Sequence, residues 1–345
     1  MEQQILFPFA EYWWFYGGFT ALVLAVLALD LGVLHREPRV QTLRESATWS
    51  AAWVVFALLV GLGLWQYAHW RLPQVPALAG ADHAALADTV GMEYLAGYVV
   101  EKALAVDNIF VIAMVFAYFR IPAHLQHRVL FYGIIGALLF RALFIALGAV
   151  LLQYQWIVLA AGAFLILTGV KMAIVGDGNA DPGRNPLLRL LRRLMPITPE
   201  LHGQSFAVRV DGRWMATPLL LCLALVEFSD IIFAIDSVPA IFALTDEPLI
   251  VFTSNICAIL GLRAMYFLLA GVMDRFHLLK YGLALILVFV GLKMVWLNDA
   301  FGGKFPIVWS LGIIGGILAA AILASLWIRP RQSAATAPAI TDSAK

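Results

Sequence analysis

Nine stretches of the chain are apolar and long enough to cross the hydrocarbon core of a bilayer. They lie near residues 12–34, 47–66, 91–119, 129–152, 155–175, 216–244, 248–272, 279–297 and 306–328. A spanning helix needs about 17–25 such residues. In hydrocarbon, each span must satisfy its own backbone N–H and C=O groups, which leaves helices as the predicted structure. The fold class is therefore an all-α polytopic membrane protein with about nine transmembrane helices. Composition agrees: 62% of the 345 residues are hydrophobic and 13% charged, against about 45–50% apolar and about 25% charged in a soluble domain. A net charge of +1 excludes a basic nucleic-acid binder. The opening Met1-Glu2-Gln3-Gln4 has no basic residue, so the first span is expected to be retained rather than cleaved as a signal. Cys222 and Cys257 lie within spans, outside any metal-type spacing, and read as small buried apolar residues.

The basic residues orient the spans. With the N-terminus outside, inner segments carry Arg36, Arg39, Arg44, Arg120, Arg128, Arg184, Arg189, Arg192, Arg193, Arg209, Arg213, Arg275, Lys280, Arg329, Arg331 and Lys345. Outer segments carry only Arg71 and Lys304. Sixteen against two places the C-terminus in the cytoplasm by the positive-inside rule. The expected organisation is two N-terminal helices with an outer loop (1–90), a first unit (91–175) and a basic cytoplasmic loop (176–215). A second unit (216–297), a ninth span (298–328) and a cytoplasmic tail (329–345) follow. The Arg189/Arg192/Arg193 cluster of the loop either touches anionic headgroups or is solvated.

The two units repeat one another. Glu101 is followed six residues later by Asp107-Asn108, and Asp230 by Asp236-Ser237, with Glu227 one turn before Asp230. Arg141 to Met172 aligns without a gap on Arg263 to Met294; both segments open Arg-Ala and close Gly-x-Lys-Met, at Lys171 and Lys293. Spans three to five thus repeat as spans six to eight, and the orientation inverts one relative to the other. Inverted repeats around a midplane site on interrupted helices are a recurring plan for secondary transporters.

Acids at membrane depth are costly and usually mark an ion path, a proton relay or a paired charge. At about 100° per residue, Glu101 and Asp107 lie about 120° apart, as do Asp230 and Asp236. Either the acids face different neighbours or the helix opens between them, and Pro239 favours an opening. The expected site is Glu101, Asp107, Glu227, Asp230 and Asp236 near the midplane, with Asn108 and Ser237 as further oxygen ligands. All seven His lie in loops or at span ends. Oxygen donors alone suit Mn²⁺, Ca²⁺ or Mg²⁺. Clustered carboxylates share protons, so exchange of metal for H⁺ is consistent with the set.

A structural reading competes with this one. Lys102, Arg141 and Arg263 also lie in spans and could neutralise the acids as ion pairs, Glu101 with Arg141 or Arg263 first among them. Lys171 and Lys293, near span ends, are expected to snorkel to the interface. Asp30 and Glu93, nearer the membrane faces, read as access-path residues or as caps and interfacial pairs.

The chain resembles the TerC family. The likeness rests on Ala28-Leu-Asp30-Leu, Glu101-Lys-Ala-Leu-Ala-Val-Asp107-Asn108-Ile-Phe, Ile121-Pro-Ala-His-Leu-Gln-His127-Arg128-Val-Leu-Phe, and Val226-Glu227-Phe-Ser-Asp230-Ile-Ile-Phe-Ala-Ile-Asp236-Ser237-Val-Pro239-Ala. It covers about residues 12–328 and includes the family's tellurium-resistance and Alx-like branches, within the LysE-type transporter superfamily. The resemblance implies a bacterial inner-membrane protein linked to manganese export, with the acids of spans three and six binding metal. Alx-like members are also described as membrane-bound redox modulators, for which this sequence offers no thiol pair and no cofactor motif. Tellurite, an oxyanion, would be repelled by five carboxylates.

The expected function is export of a hard divalent cation, Mn²⁺ first, with H⁺ as the candidate exchange ion and no resident cofactor. The alternative is a membrane partner or scaffold of a metal-loading, tellurium-resistance or redox stress system, acting through loop 176–215. No GxSxG or HExxH constellation points to an enzyme.

Overall fold

The structure, a computed structural model, describes residues 5–29, 42–174, 186–210, 212–270, 278–303 and 305–328. Asp30, Arg36, Arg39, Arg184, Arg275, Lys304 and the tail from 329 fall outside them. The long helices are α1 (Phe9–Leu29), α2 (Leu43–Arg71), α3 (His83–Tyr118), α4 (Ala123–Leu151) and α5 (Gln155–Ile174). After a short α6 (Pro186–Leu194) and a hairpin of β1 (Ala207–Val210) and β2 (Arg213–Ala216) come α7 (Pro218–Phe242), α8 (Pro248–Leu260) and α9 (Leu262–Ala270). The chain closes with α10 (Leu279–Leu292), a π-helical stretch at Lys293–Leu297, the single turn α11 (Asn298–Ala300) and α12 (Ile307–Trp327).

Among the described residues, seven helices are long and apolar enough to cross a membrane, or eight if the α8–α9 pair, bent by 43° at Gly261, counts as one span. The 36-residue α3 is not among them. Its Asp88, Glu93, Glu101, Lys102 and Asp107 make it too polar for composition to declare it. The chain is a multi-pass integral membrane protein with α3 at its centre, packed against α2, α7, α8 and α12.

Two expectations are corrected. The helix carrying Pro239 does not open there: α7 runs unbroken to Phe242. Pro239 sits in its last turn, where little helix remains to be kinked. Lys293 does not snorkel; it is 3% exposed at the start of the π-helical stretch. Lys171, which aligns with it in sequence, is exposed.

The two ends of the bundle differ. One end gathers the start of α1, the close of α2, the start of α3 and the α7–α8 link. Glu247 accepts from the Leu6 and Phe7 N–H groups, Phe7 and Tyr12 meet Tyr67, and Trp65 donates to Asp88. Exposed Trp13, Trp14, Trp70, Tyr154, Trp156, Trp296 and Trp309 lie toward this end, and exposed Trp214 and Trp327 toward the other, as expected of aromatic belts at both membrane faces. The opposite end carries Arg44, Arg120, Arg128, Arg189, Arg193, Arg209 and Arg213. There the stretch expected as a simple loop is folded. Leu188 of α6 is buried and packs with Leu187 and Leu191 against the core, and Arg128 bonds Gln204 and stacks near Phe206.

The α5–α10 pair packs backbone to backbone. A Cβ on Gly162 would fall 3.0 Å from the Gly291 carbonyl, and one on Gly291 would fall 2.6 Å from the Gly162 carbonyl. Small residues permit this approach, which drives helix association in lipid. Gly291→Val should therefore separate the pair and destabilise the protein by about 1–3 kcal/mol, the usual range for overpacking. A native-like unfolding midpoint in detergent would contradict this.

Candidate functional site

The buried polar centre is organised by Arg141 of α4, 1% exposed. Its Nη1 donates to Glu101 Oε1 of α3, to Ser237 Oγ of α7 at 3.2 Å and to Asn255 Oδ1 of α8 at 2.6 Å. Its Nη2 lies 3.5 Å from Asp230 Oδ1 of α7, which also accepts from Asn108 Nδ2 at 3.5 Å. Four helices thus meet at one guanidinium, whose planar array of donors suits several acceptors at once. Of the two partners expected for Glu101, the structure selects Arg141. Arg263 instead donates to His127 Nε2 at 3.1 Å, and Lys102 donates to the Ala258 carbonyl at 3.1 Å.

The remaining acids face other neighbours. Asp236 accepts from Thr168 Oγ1 of α5 at 3.4 Å. Glu227 lies over Gly136 of α4, where any Cβ would strike its carboxylate. Asp107 is half-buried on α3, one residue before Asn108. Glu93 is 5% exposed toward the aromatic end and accepts from Thr245 Oγ1 at 2.5 Å. Asp30 lies outside the described residues. A continuous α7 thus sends Asp230 to α4 and Asp236 to α5, the divergence that helical geometry gives residues six apart.

The network is incompletely satisfied. Glu101 Oε2, Asn108 Oδ1, Glu227 Oε2 and Asp230 Oδ2 are buried with no hydrogen-bond partner, as are Arg141 Nε and Asn255 Nδ2. Buried polar atoms are normally paired, and unpaired ones cluster where a water, ion or proton belongs. The four oxygens are hard donors of the kind that Mn²⁺, Mg²⁺ and Ca²⁺ accept. Among the described residues, however, no three His, Cys, Asp or Glu side chains are grouped closely enough to hold a metal ion. Arg141 is the cation among the acids in this conformation.

Sequence reading missed Asn255 and Thr168. Asn255 had a visible signal, the polar run Thr253-Ser254-Asn255 inside an apolar helix, all three buried. Thr168 had none, since a lone threonine in a span usually bonds its own helix.

The profile of the integral membrane protein TerC family matches residues 86–333. The chain belongs to the TerC family. Among its relatives, an Escherichia coli (strain K12) protein with the provisional name membrane-bound redox modulator Alx is 48% identical over 319 residues, covering 92% of this chain and 95% of that protein. An uncharacterized membrane protein of Myxococcus xanthus, STKORF319, is 47% identical over 312 residues, 90% of this chain and 91% of the relative. A Rickettsia felis membrane protein is 40% identical over 80% of this chain and 86% of its own length. No solved structure matches. The TerC match includes every site acid except Asp30. The E. coli relative's redox name finds only two free thiols among the described residues, Cys222 and Cys257, both buried.

Proposed function

We propose that this TerC protein is a secondary transporter that exports a hard divalent cation, Mn²⁺ first, across the bacterial inner membrane in exchange for H⁺. The observation that carries the reading is the set of buried oxygens without donors on Glu101, Asn108, Glu227 and Asp230, beside a guanidinium that already neutralises part of the charge. A carrier must cross its cycle both loaded and empty. Arg141 lets the empty site stay close to neutral by pairing with Glu101 and Asp230. Asp107 and Asp236 serve as the central ligands, and Glu227 joins the shell or carries protons. Ser237 and Asn108 complete the oxygen set, and Lys102 and Arg263 balance charge at its margins.

In this reading, the seven apolar helices, the bent α8–α9 span and α3 make nine spans. Helices α3–α5 and the segment from α7 to α10 form inverted repeats that rock against one another around the site. The basic end faces the cytoplasm and the aromatic end faces outward. The protein has no resident cofactor and performs no enzymatic step; its partners are the cation and the lipid bilayer. Arg263 and Arg141, equivalent in the repeat, hold different partners, as two halves do in a one-sided conformation.

Proteoliposomes containing a pH dye test the exchange. Adding Mn²⁺ should move protons in the opposite direction, with Ca²⁺ and Mg²⁺ competing. Mn²⁺ uptake with no proton signal would contradict the exchange.

A further inference from the structure

A cavity of about 590 Å³ opens at the aromatic end, between the first turns of α3, the α4–α5 link, the close of α7, the α10–α11 region and the start of α12. Its walls include Glu93, Asp246 and Asp299, with Lys293 as a buried counter-charge. Phe242 and Ala243, at the close of α7, form part of its wall. Phe242 lies six residues beyond Asp236 on α7, roughly 9 Å at 1.5 Å per residue. The wall at Lys293 is the π-helical stretch, an element frequent at functional positions. Both features converge on one place: a chamber of mixed polar and apolar lining at the close of the helix that carries Asp236, beside the only π-helical turn among the described residues.

We propose that this cavity is the outer vestibule of the transport route and holds a hydrated divalent cation after it leaves Asp236. The proposal rests on the transporter reading and adds its outlet. Among the described lining residues, three carboxylates stand against one ammonium. Because no three acids close on one point, the cation is held through its water shell rather than stripped. Such loose holding suits release, since an ion must bind well enough to enter and weakly enough to leave. Lys293 limits how tightly the cation is retained.

Ala243→Cys tests this in spheroplasts, with a membrane-impermeant thiol reagent added outside. The native protein is the control, since Cys222 and Cys257 are buried and neither lines the cavity, whereas Ala243, also buried, does. Position 243 should react, and Mn²⁺ should slow the reaction by about threefold or more, the occupancy expected a few-fold above its Kd. Asp246→Asn with Asp299→Asn should remove that protection, and a bulky adduct at 243 should stop Mn²⁺ flux. No reaction at 243 while Gln153→Cys, at an exposed wall position, does react would overturn the proposal. Intact flux through the adduct-bearing protein would also overturn it while leaving the transporter reading standing. Mn²⁺ protection without any flux in the native protein would overturn both, leaving a cation site that belongs to no route.

Discussion

Arg141→Leu is expected to destabilise the protein by about 3–5 kcal/mol, the range for removing one partner of a buried ion pair. The substitution leaves Glu101, fully buried, without its cation, and takes a donor from Ser237, Asn255 and Asp230 together. A second substitution separates charge from packing. Arg141→Leu with Glu101→Leu should recover much of the loss, because an apolar pair of similar volume can replace a buried salt bridge at little cost. Thermal unfolding of the four proteins in detergent gives the coupling. A single variant as stable as the native protein would show that Arg141 does not hold the four helices together.

The second large effect falls on transport. Asp236 lies outside the Arg141 network, accepts one long bond from Thr168, and stands one residue before Ser237. Asp236→Asn keeps its shape and removes its charge, so folding should be spared while Mn²⁺ flux falls by about 100-fold or more, at or beyond the upper end of the loss for a supporting residue of a metal site. Asp107→Asn, at the repeat-equivalent position, should act alike. Retained flux in both variants would remove these acids from the route.

Membrane character, the acidic helices and the pairing of Glu101 with an arginine were legible in the sequence, because a charge in an apolar helix must have a partner. The sequence also showed that Asp230 and Asp236 could not share a direction on a straight helix. It did not show which helix would receive each one. That depends on the packing of α4 and α5 against α7, set by contacts such as Glu227 over Gly136. Pro239 misled because a proline's effect depends on how much helix follows it. Lys293 misled because snorkelling assumes a lipid-facing helix surface, whereas a π-helical stretch holds this lysine against a cavity. Folding of the basic loop was hidden as well. The Leu187, Leu188 and Leu191 face of α6 becomes an inward face only once the core it packs against exists.

The most direct test of the account is Mn²⁺ flux into proteoliposomes under an imposed pH gradient, native protein against Asp236→Asn. Flux should follow the gradient in the native protein and be lost in the variant, with both equally folded. Equal flux in the two, or none in a correctly folded native protein, would contradict it.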